Sequence, residues 1–249
     1  MNILSDSDQK IINMMQRFNS NILKDLFNLV FPACCISCSE PLPEKRFIIC
    51  QACYNRLESI NQQQIDAFME RITEKHFDEI IILFHFSPLF QKLMHFFKYE
   101  GFFQITDYFA MSIQQKIKRN AYDIISSVPL HASKKRERGF NQSEILARKV
   151  ALQMGIEWIE VLERTRYTNS QTKLSRAQRK ENMLDAFKFK NNVENKRLLL
   201  IDDVITTGAT LNECARILKN AGAYKIDILA MATPVDILQT KAQHEFLPY

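Results

Sequence analysis

The chain has 249 residues, 46% of them hydrophobic and 24% charged, with a formal net charge of +5. That balance fits a soluble globular protein of one or two domains, and no apolar run approaches the roughly 18 residues of a membrane span, so no membrane insertion is expected. The positive charge is uneven: Lys134, Lys135, Arg136 and Arg138 form one cluster, and Arg164, Arg166, Lys173, Arg176, Arg179 and Lys180 a second. Both suit polyanions, either pyrophosphate or nucleic acid, although any one of these side chains reads equally well as part of a solvated loop.

Residues 1–30 carry Ile11, Met14, Met15, Phe18, Ile22, Leu26 and Leu29 at three- and four-residue spacing, which predicts an amphipathic helical extension. Met1 to Lys10 are polar and acidic, so no signal peptide is expected. Next come Cys35-Ile36-Ser37-Cys38 and, eleven residues later, Cys50-Gln51-Ala52-Cys53. Two C-x-x-C knuckles present four thiolates for a tetrahedral structural zinc site, with Pro41 and Pro43 expected to mark the turn between them. A pair of disulfides is the competing reading, and it requires an oxidising compartment. A segment this small has little core, so metal binding, worth about 10–16 kcal/mol in isolated zinc fingers, would decide whether it folds. Cys34 reads as a bystander and Cys214 as a small buried residue.

Asn61 to Gln64 read as a short polar link. Strands are then expected over Ile80–Phe86, Tyr122–Val128, Trp158–Leu162, Arg197–Asp202 and Tyr224–Ala232. Helices are expected over Pro88–Phe97, Ile105–Ile117, Gln142–Met154 and Leu211–Asn220, and the alternation predicts an α/β fold with a parallel sheet. The strand ending at Val128 runs through Pro129-Leu130-His131 into a basic loop closing on Arg138-Gly139-Phe140-Asn141-Gln142-Ser143. Asn141 is placed to cap the following helix, and His131 reads as a turn residue or a ligand contact.

The densest chemistry lies in Leu198-Leu199-Leu200-Ile201-Asp202-Asp203-Val204-Ile205-Thr206-Thr207-Gly208-Ala209-Thr210. The apolar run predicts a strand buried on both faces, with its polar residues at the carboxyl edge where open α/β sheets bind ligands. Thr206, Thr207, Gly208, Ala209 and Thr210 form a turn opening a helix, whose free N–H groups and dipole favour a phosphate. Gly208, with no Cβ, admits the phosphate close to the backbone. Asp202 and Asp203 can accept hydrogen bonds from vicinal ribose hydroxyls, directly or through magnesium. Adjacent strand residues point to opposite faces, so the pair is not expected to act as one symmetric clamp.

This stretch resembles the 5-phosphoribosyl 1-pyrophosphate (PRPP) signature of the type I phosphoribosyltransferases. The resemblance implies that Asp202 and Asp203 hold ribose and magnesium, that Thr206–Thr210 hold the 5-phosphate, and that Leu130, His131 and Arg138 belong to a pyrophosphate loop. Arg138 is the side chain expected to grip phosphate oxygens in pairs. The polar, basic segment from Tyr167 to Asn182 would be a lid. No side chain declares itself as a catalytic base.

Further segments narrow the family: Phe31-Pro32 before the knuckles, His95-Phe96-Phe97-Lys98-Tyr99-Glu100-Gly101, Val128-Pro129-Leu130-His131 with Arg138-Gly139-Phe140-Asn141-Gln142-Ser143, Gln171-Thr172-Lys173-Leu174-Ser175 with Arg179 and Asn182, and Ala186-Phe187. In this order they resemble the ComF family of bacterial competence proteins over about residues 30–233, with Ser39 standing where that family often has glycine. The resemblance implies a zinc ribbon over 31–60, a type I phosphoribosyltransferase domain over 61–236 and a tail over 237–249. It further implies a cytoplasmic protein that binds PRPP and takes part in DNA uptake, with single-stranded DNA and competence-machinery proteins as partners. The alternative is an active phosphoribosyltransferase moving a phosphoribosyl group to a nitrogenous acceptor in nucleotide metabolism; a regulatory PRPP sensor is a third reading. Phe96, Phe97, Lys98 and Tyr99 read either as a platform for unpaired bases or as a half-buried helix end.

Overall fold

The computed structural model describes residues 33–43, 47–72, 74–118, 120–166 and 186–234. The expected helix over 1–30, the lid segment with its Gln171–Ser175 motif, and the tail over 237–249 lie outside them. The chain divides into two compact units, Met1–Tyr54 and Asn55–Tyr249. The division falls six residues ahead of the expected one at residue 60, because Ser59 bridges Phe84 and Ile60 donates to Leu83 within the second unit.

In the first unit Cys34 pairs antiparallel with Pro41, and Leu42 donates to Ala33 at 2.7 Å. Pro41 therefore lies in the ladder, where a missing N–H is tolerated on an edge, and does not mark the turn. Ser39 adopts φ +65°, a left-handed conformation in which a non-glycine side chain is strained. That strain gives the physical reason for the glycine often found at this position. The short helix α1 (Gln51–Tyr54) follows the second knuckle, and Cys35, Ile48, Ile49 and Cys53 form a core of only a few side chains.

The second unit opens with α2 (Gln62–Met69), so the expected polar link is a helix start. Asn61 Oδ1 accepts from the Gln64 N–H and Gln64 Oε1 from the Asn61 N–H, both at 3.0 Å, a reciprocal cap. Then follow β1 (Glu79–His85), α3 (Pro88–Tyr99), α4 (Ile105–Lys116), β2 (Ile124–Ser127), α5 (Ala132–Arg138), α6 (Gln142–Met154) and β3 (Glu157–Trp158). The remaining elements are β4 (Leu162–Arg164), β5 (Phe187–Phe189), β6 (Arg197–Val204), α7 (Ala209–Asn220) and β7 (Lys225–Thr233).

Five strands form one parallel sheet in the order β1-β7-β6-β2-β3. Its inner strands carry apolar runs, as strands covered on both faces do: Leu198 to Ile201 and Ile226, Ile228, Leu229, Ala230 and Ala232 are fully buried. The strand expected over Trp158–Leu162 is in fact two. Ile159 still donates to Ile125, but the chain then leaves the sheet, and β4 pairs antiparallel with β5, a strand absent from the sequence reading. The expected basic loop contains a helix, α5, capped by the His131 side chain and ended by Gly139 at φ +81°. None of its residues is buried.

The chain after β2 runs outward to β3, while the chain after β6 runs through α7 to β7 on the other side. A crevice therefore opens between the carboxyl ends of β2 and β6, the switch point at which doubly wound sheets take ligands.

Candidate functional site

Val128 donates to Ile201 at 3.0 Å, so the loop after β2 begins beside the Asp202-Asp203 pair. The two carboxylates diverge, as strand alternation requires. Asp202 Oδ1 accepts from Ser143 Oγ at 3.0 Å, at the start of α6, and from the Asp203 N–H at 2.9 Å. Asp203 Oδ1 accepts from the Val204 N–H at 2.7 Å, and its Oδ2 is ion-paired with Lys98 from the last turn of α3. Burial, then repulsion from Asp203, pushes the Asp202 carboxyl up to about 7. Burial acts on Asp203 in the same direction, but the Lys98 ammonium outweighs it and holds that carboxyl below the usual carboxylate range.

The Arg138–Ser143 motif is built for position. Gly139 supplies the left-handed turn, and Phe140 packs on Phe103 and Phe97 at 4.9 and 6.2 Å between ring centroids. Asn141 accepts from the Ser143 N–H at 3.2 Å and donates through Nδ2 to the Val128 carbonyl at 2.9 Å, tying the cap of α6 to the end of β2. Gln142, 2% exposed, accepts from Arg138 Nη1 at 3.4 Å, while its Nε2 has no partner among the described residues. The Arg138 guanidinium lies 5.8 Å from the centre of the Tyr99 ring. His131 uses Nδ1 to accept from the Ser133 N–H at 3.2 Å, so that ring nitrogen serves as a helix cap.

Further cations converge on this region. Arg164, at the end of β4, rests 5.3 Å from the centre of the Phe187 ring. Burial lowers its guanidinium below its usual range, with Cys214 and Asp202 acting against that. Burial likewise lowers the Lys134 ammonium, and repulsion from Arg164, Arg138 and Lys98 adds to it. Lys98, Lys134, Arg138 and Arg164 thus share one electrostatic environment with the acid pair.

Thr206, Thr207, Ala209 and Thr210 are half-buried in the turn opening α7, and Gly208 is its N-cap residue at φ +75°. A Cβ on Gly208 would lie 3.2 Å from Ile72 Cδ1 and 3.7 Å from Phe68 Cζ. Backbone conformation and packing therefore require glycine there, in addition to the close approach the sequence suggested.

In the first unit Cys35, Cys38, Cys50 and Cys53 bring their sulfur atoms within 4.8 Å of one another, all as free thiols. Cys38 Sγ and Cys50 Sγ are 3.7 Å apart, against about 3.8 Å for two sulfurs each 2.3 Å from a tetrahedral zinc. Backbone N–H groups of Ser37 and Cys50 approach Cys35 Sγ, and that of Cys53 approaches Cys50 Sγ, each at 3.4 Å. Burial raises the Cys35 thiol, but N–H groups of Cys38, Cys50 and Ser37 outweigh it and bring it to about 6. For Cys38 the Glu40 N–H favours the thiolate, yet burial and the three neighbouring sulfurs push it up to about 12. Four such thiols cannot all ionise without a cation among them, and the donor set fits zinc.

The sequence reading missed Lys98 as a partner of Asp203, Ser143 as a partner of Asp202, and Arg164 near the pair. No local spacing joins α3 or β4 to β6; only the presence of Lys98 and Ser143 inside quoted motifs pointed to them.

The family described as "Phosphoribosyl transferase domain" matches residues 141–249. "Competence protein F" of Haemophilus influenzae is 27% identical over 209 residues, covering 80% of this chain and 89% of that protein. "DNA utilization protein YhgH" of Escherichia coli K12 is 37% identical over 107 residues, 43% of this chain and 47% of that one. "Competence protein ComFC" of Streptococcus pneumoniae R6 is 28% identical over 149 residues, 60% of this chain and 66% of that one. Among solved structures, an adenine phosphoribosyltransferase aligns with a TM-score of 0.37 and 13% identity, over 62% of this chain and 81% of that one. A phosphoribosyltransferase domain on this parallel sheet, together with competence proteins among the relatives, supports a ComF family protein.

Proposed function

We infer that the crevice between β2 and β6 binds PRPP and that the protein serves DNA uptake and handling in natural competence, in the cytoplasm, where its thiols stay reduced. The observation that carries the ligand reading is the placement of the acid pair and the Thr206–Thr210 turn at the switch point, facing Lys98, Arg138 and Arg164. In this reading Asp202 takes the ribose hydroxyls through its Oδ2, and the turn takes the 5-phosphate on backbone N–H groups and threonine hydroxyls. Arg138 and the backbone at Leu130 and His131 meet the pyrophosphate. Asp202 with ligand phosphate oxygens fits magnesium, which would neutralise charge on the pyrophosphate when bound. The four cysteines hold structural zinc. The competence role is supported by the relatives' names, and no helix among the described residues is long and apolar enough to cross a membrane.

The same cations are what a departing pyrophosphate needs, which favours turnover as a second reading. Titration calorimetry with PRPP, run beside a pyrophosphate-release assay over nucleobase, amine and nucleic-acid acceptors, separates the two. Binding that Asp202→Asn/Asp203→Asn abolishes supports the site, and release with an acceptor adds catalysis. Unchanged affinity in that double variant refutes the assignment. Salt-independent or absent affinity for single-stranded DNA refutes direct DNA contact.

A further inference from the structure

The two carboxylates of the crevice are not equivalent. Both oxygens of Asp203 are engaged, one by the Val204 N–H and the other by the Lys98 ammonium. Asp202 uses only Oδ1, for Ser143 Oγ and the Asp203 N–H, and its Oδ2 has no partner among the described residues. Lys98 is no loose surface cation. Its side chain is 20% exposed against 22% for Asp203, and it stands in the last turn of α3, where the helix dipole favours positive charge. Next to it, Tyr99 carries the Arg138 guanidinium, and Arg138 in turn acts on Asp203. Arg164 acts on Asp202 as well, so three cations, Lys98, Arg138 and Arg164, bear on the two carboxylates before any metal enters.

A polyanionic ligand approaching two bare carboxylates is repelled, and a divalent ion is the usual remedy. Here a side-chain cation is already paired with Asp203. We propose that Lys98 is the resident counter-cation of the acid pair: it locks Asp203 in place, leaves Asp202 as the carboxylate that meets the ligand, and lets a phosphoribosyl polyanion bind without magnesium. Lys98 is thus a positioning residue for Asp203, and magnesium, when present, adds to binding through Asp202 and the ligand's phosphates. The inference rests on the PRPP reading above.

The test is calorimetric titration of the full chain with PRPP, in magnesium-containing buffer and in buffer freed of magnesium over a chelating resin, which leaves the cysteine cluster intact. Wild-type protein binds in both, within about tenfold. Lys98→Met loses about ten- to a hundredfold in magnesium-free buffer, the value of a charge-assisted contact, and regains most of it when magnesium is restored. Lys98→Arg keeps magnesium-free binding. Thermal melts show that the variants are folded, and Lys98→Gln, which keeps a donor without the charge, carries the same expectation should Lys98→Met fail to fold. Equal affinities of Lys98→Met and wild type in both buffers overturn the proposal and leave the PRPP reading standing. So does wild-type binding that vanishes on magnesium removal. Wild-type protein that binds PRPP in neither buffer overturns the PRPP reading and the proposal with it.

Discussion

Replacing Gly208 by alanine separates two reasons for a glycine in the turn after β6. The residue sits at φ +75°, and an added Cβ meets Ile72 Cδ1 at 3.2 Å and Phe68 Cζ at 3.7 Å. Left-handed backbone costs a non-glycine residue about 1–2 kcal/mol. The Ile72 contact is a few tenths of an ångström too close. Ile72 is half-buried and can yield part of that, whereas Phe68 is 1% exposed and fixed in the core. Gly208→Ala should therefore destabilise the domain by about 2–3 kcal/mol, lowering its melting temperature by about 2–4 °C per kcal/mol. Gly139→Ala is the control, because its φ is +81° yet nothing lies within 4 Å of the added Cβ. It should cost only the backbone part, about 1–2 kcal/mol. Urea denaturation with an unchanged slope reads both values. If Gly208→Ala costs no more than Gly139→Ala, the packing argument is wrong; if neither costs more than about 0.5 kcal/mol, the backbone argument fails too.

At the opposite edge of the sheet, Arg197 grips both oxygens of Asp123, at 2.7 and 3.1 Å, and holds that carboxyl down to about 2. A depressed pKa stabilises the fold above the unfolded value and is lost as pH falls through the folded one, so this contribution fades from about pH 5 to about pH 2. Asp123→Asn should cost about 1 kcal/mol at neutral pH, given the partial exposure of the pair, and almost nothing near pH 2 by urea melts. Protein purified without chelator should hold one zinc per chain by elemental analysis, and Cys50→Ser should lower that content; metal-free wild-type protein would refute the site. Ser39→Gly should stabilise the first unit by about 1 kcal/mol, seen as slower metal loss to a competing chelator, since it relieves the left-handed serine. Arg138→Ala should weaken PRPP about tenfold or more while changing ribose 5-phosphate affinity little, and equal losses for both ligands would place Arg138 elsewhere.

Contiguous features were legible in the sequence. β6 and its turn are consecutive residues whose apolar run, carboxylates and small residues each carry their own signal, and the two knuckles are fixed by spacing alone. Asn141 capped its helix as expected because capping is a local act. What escaped was either short or distant. α5 has no apolar stripe to announce it and depends on the His131 cap and the Gly139 stop. β4 and β5 have three residues each, too few for a period, and find each other only through the fold. Lys98 meets Asp203 because α3 ends beside β6, an encounter that tertiary packing alone creates.

The acid pair rides on the third of five parallel strands, whereas Arg138 closes a short helix with no buried residue. Amide protons of Leu198 to Ile201 should therefore exchange with solvent only when the whole domain opens, and those of α5 through small local openings. A ligand would then meet a crevice with one stiff wall and one compliant wall. On the PRPP reading the stiff wall would fix where the sugar lies, and the compliant one would let the crevice close on phosphate chains of different length, at the cost of ordering about two turns of helix.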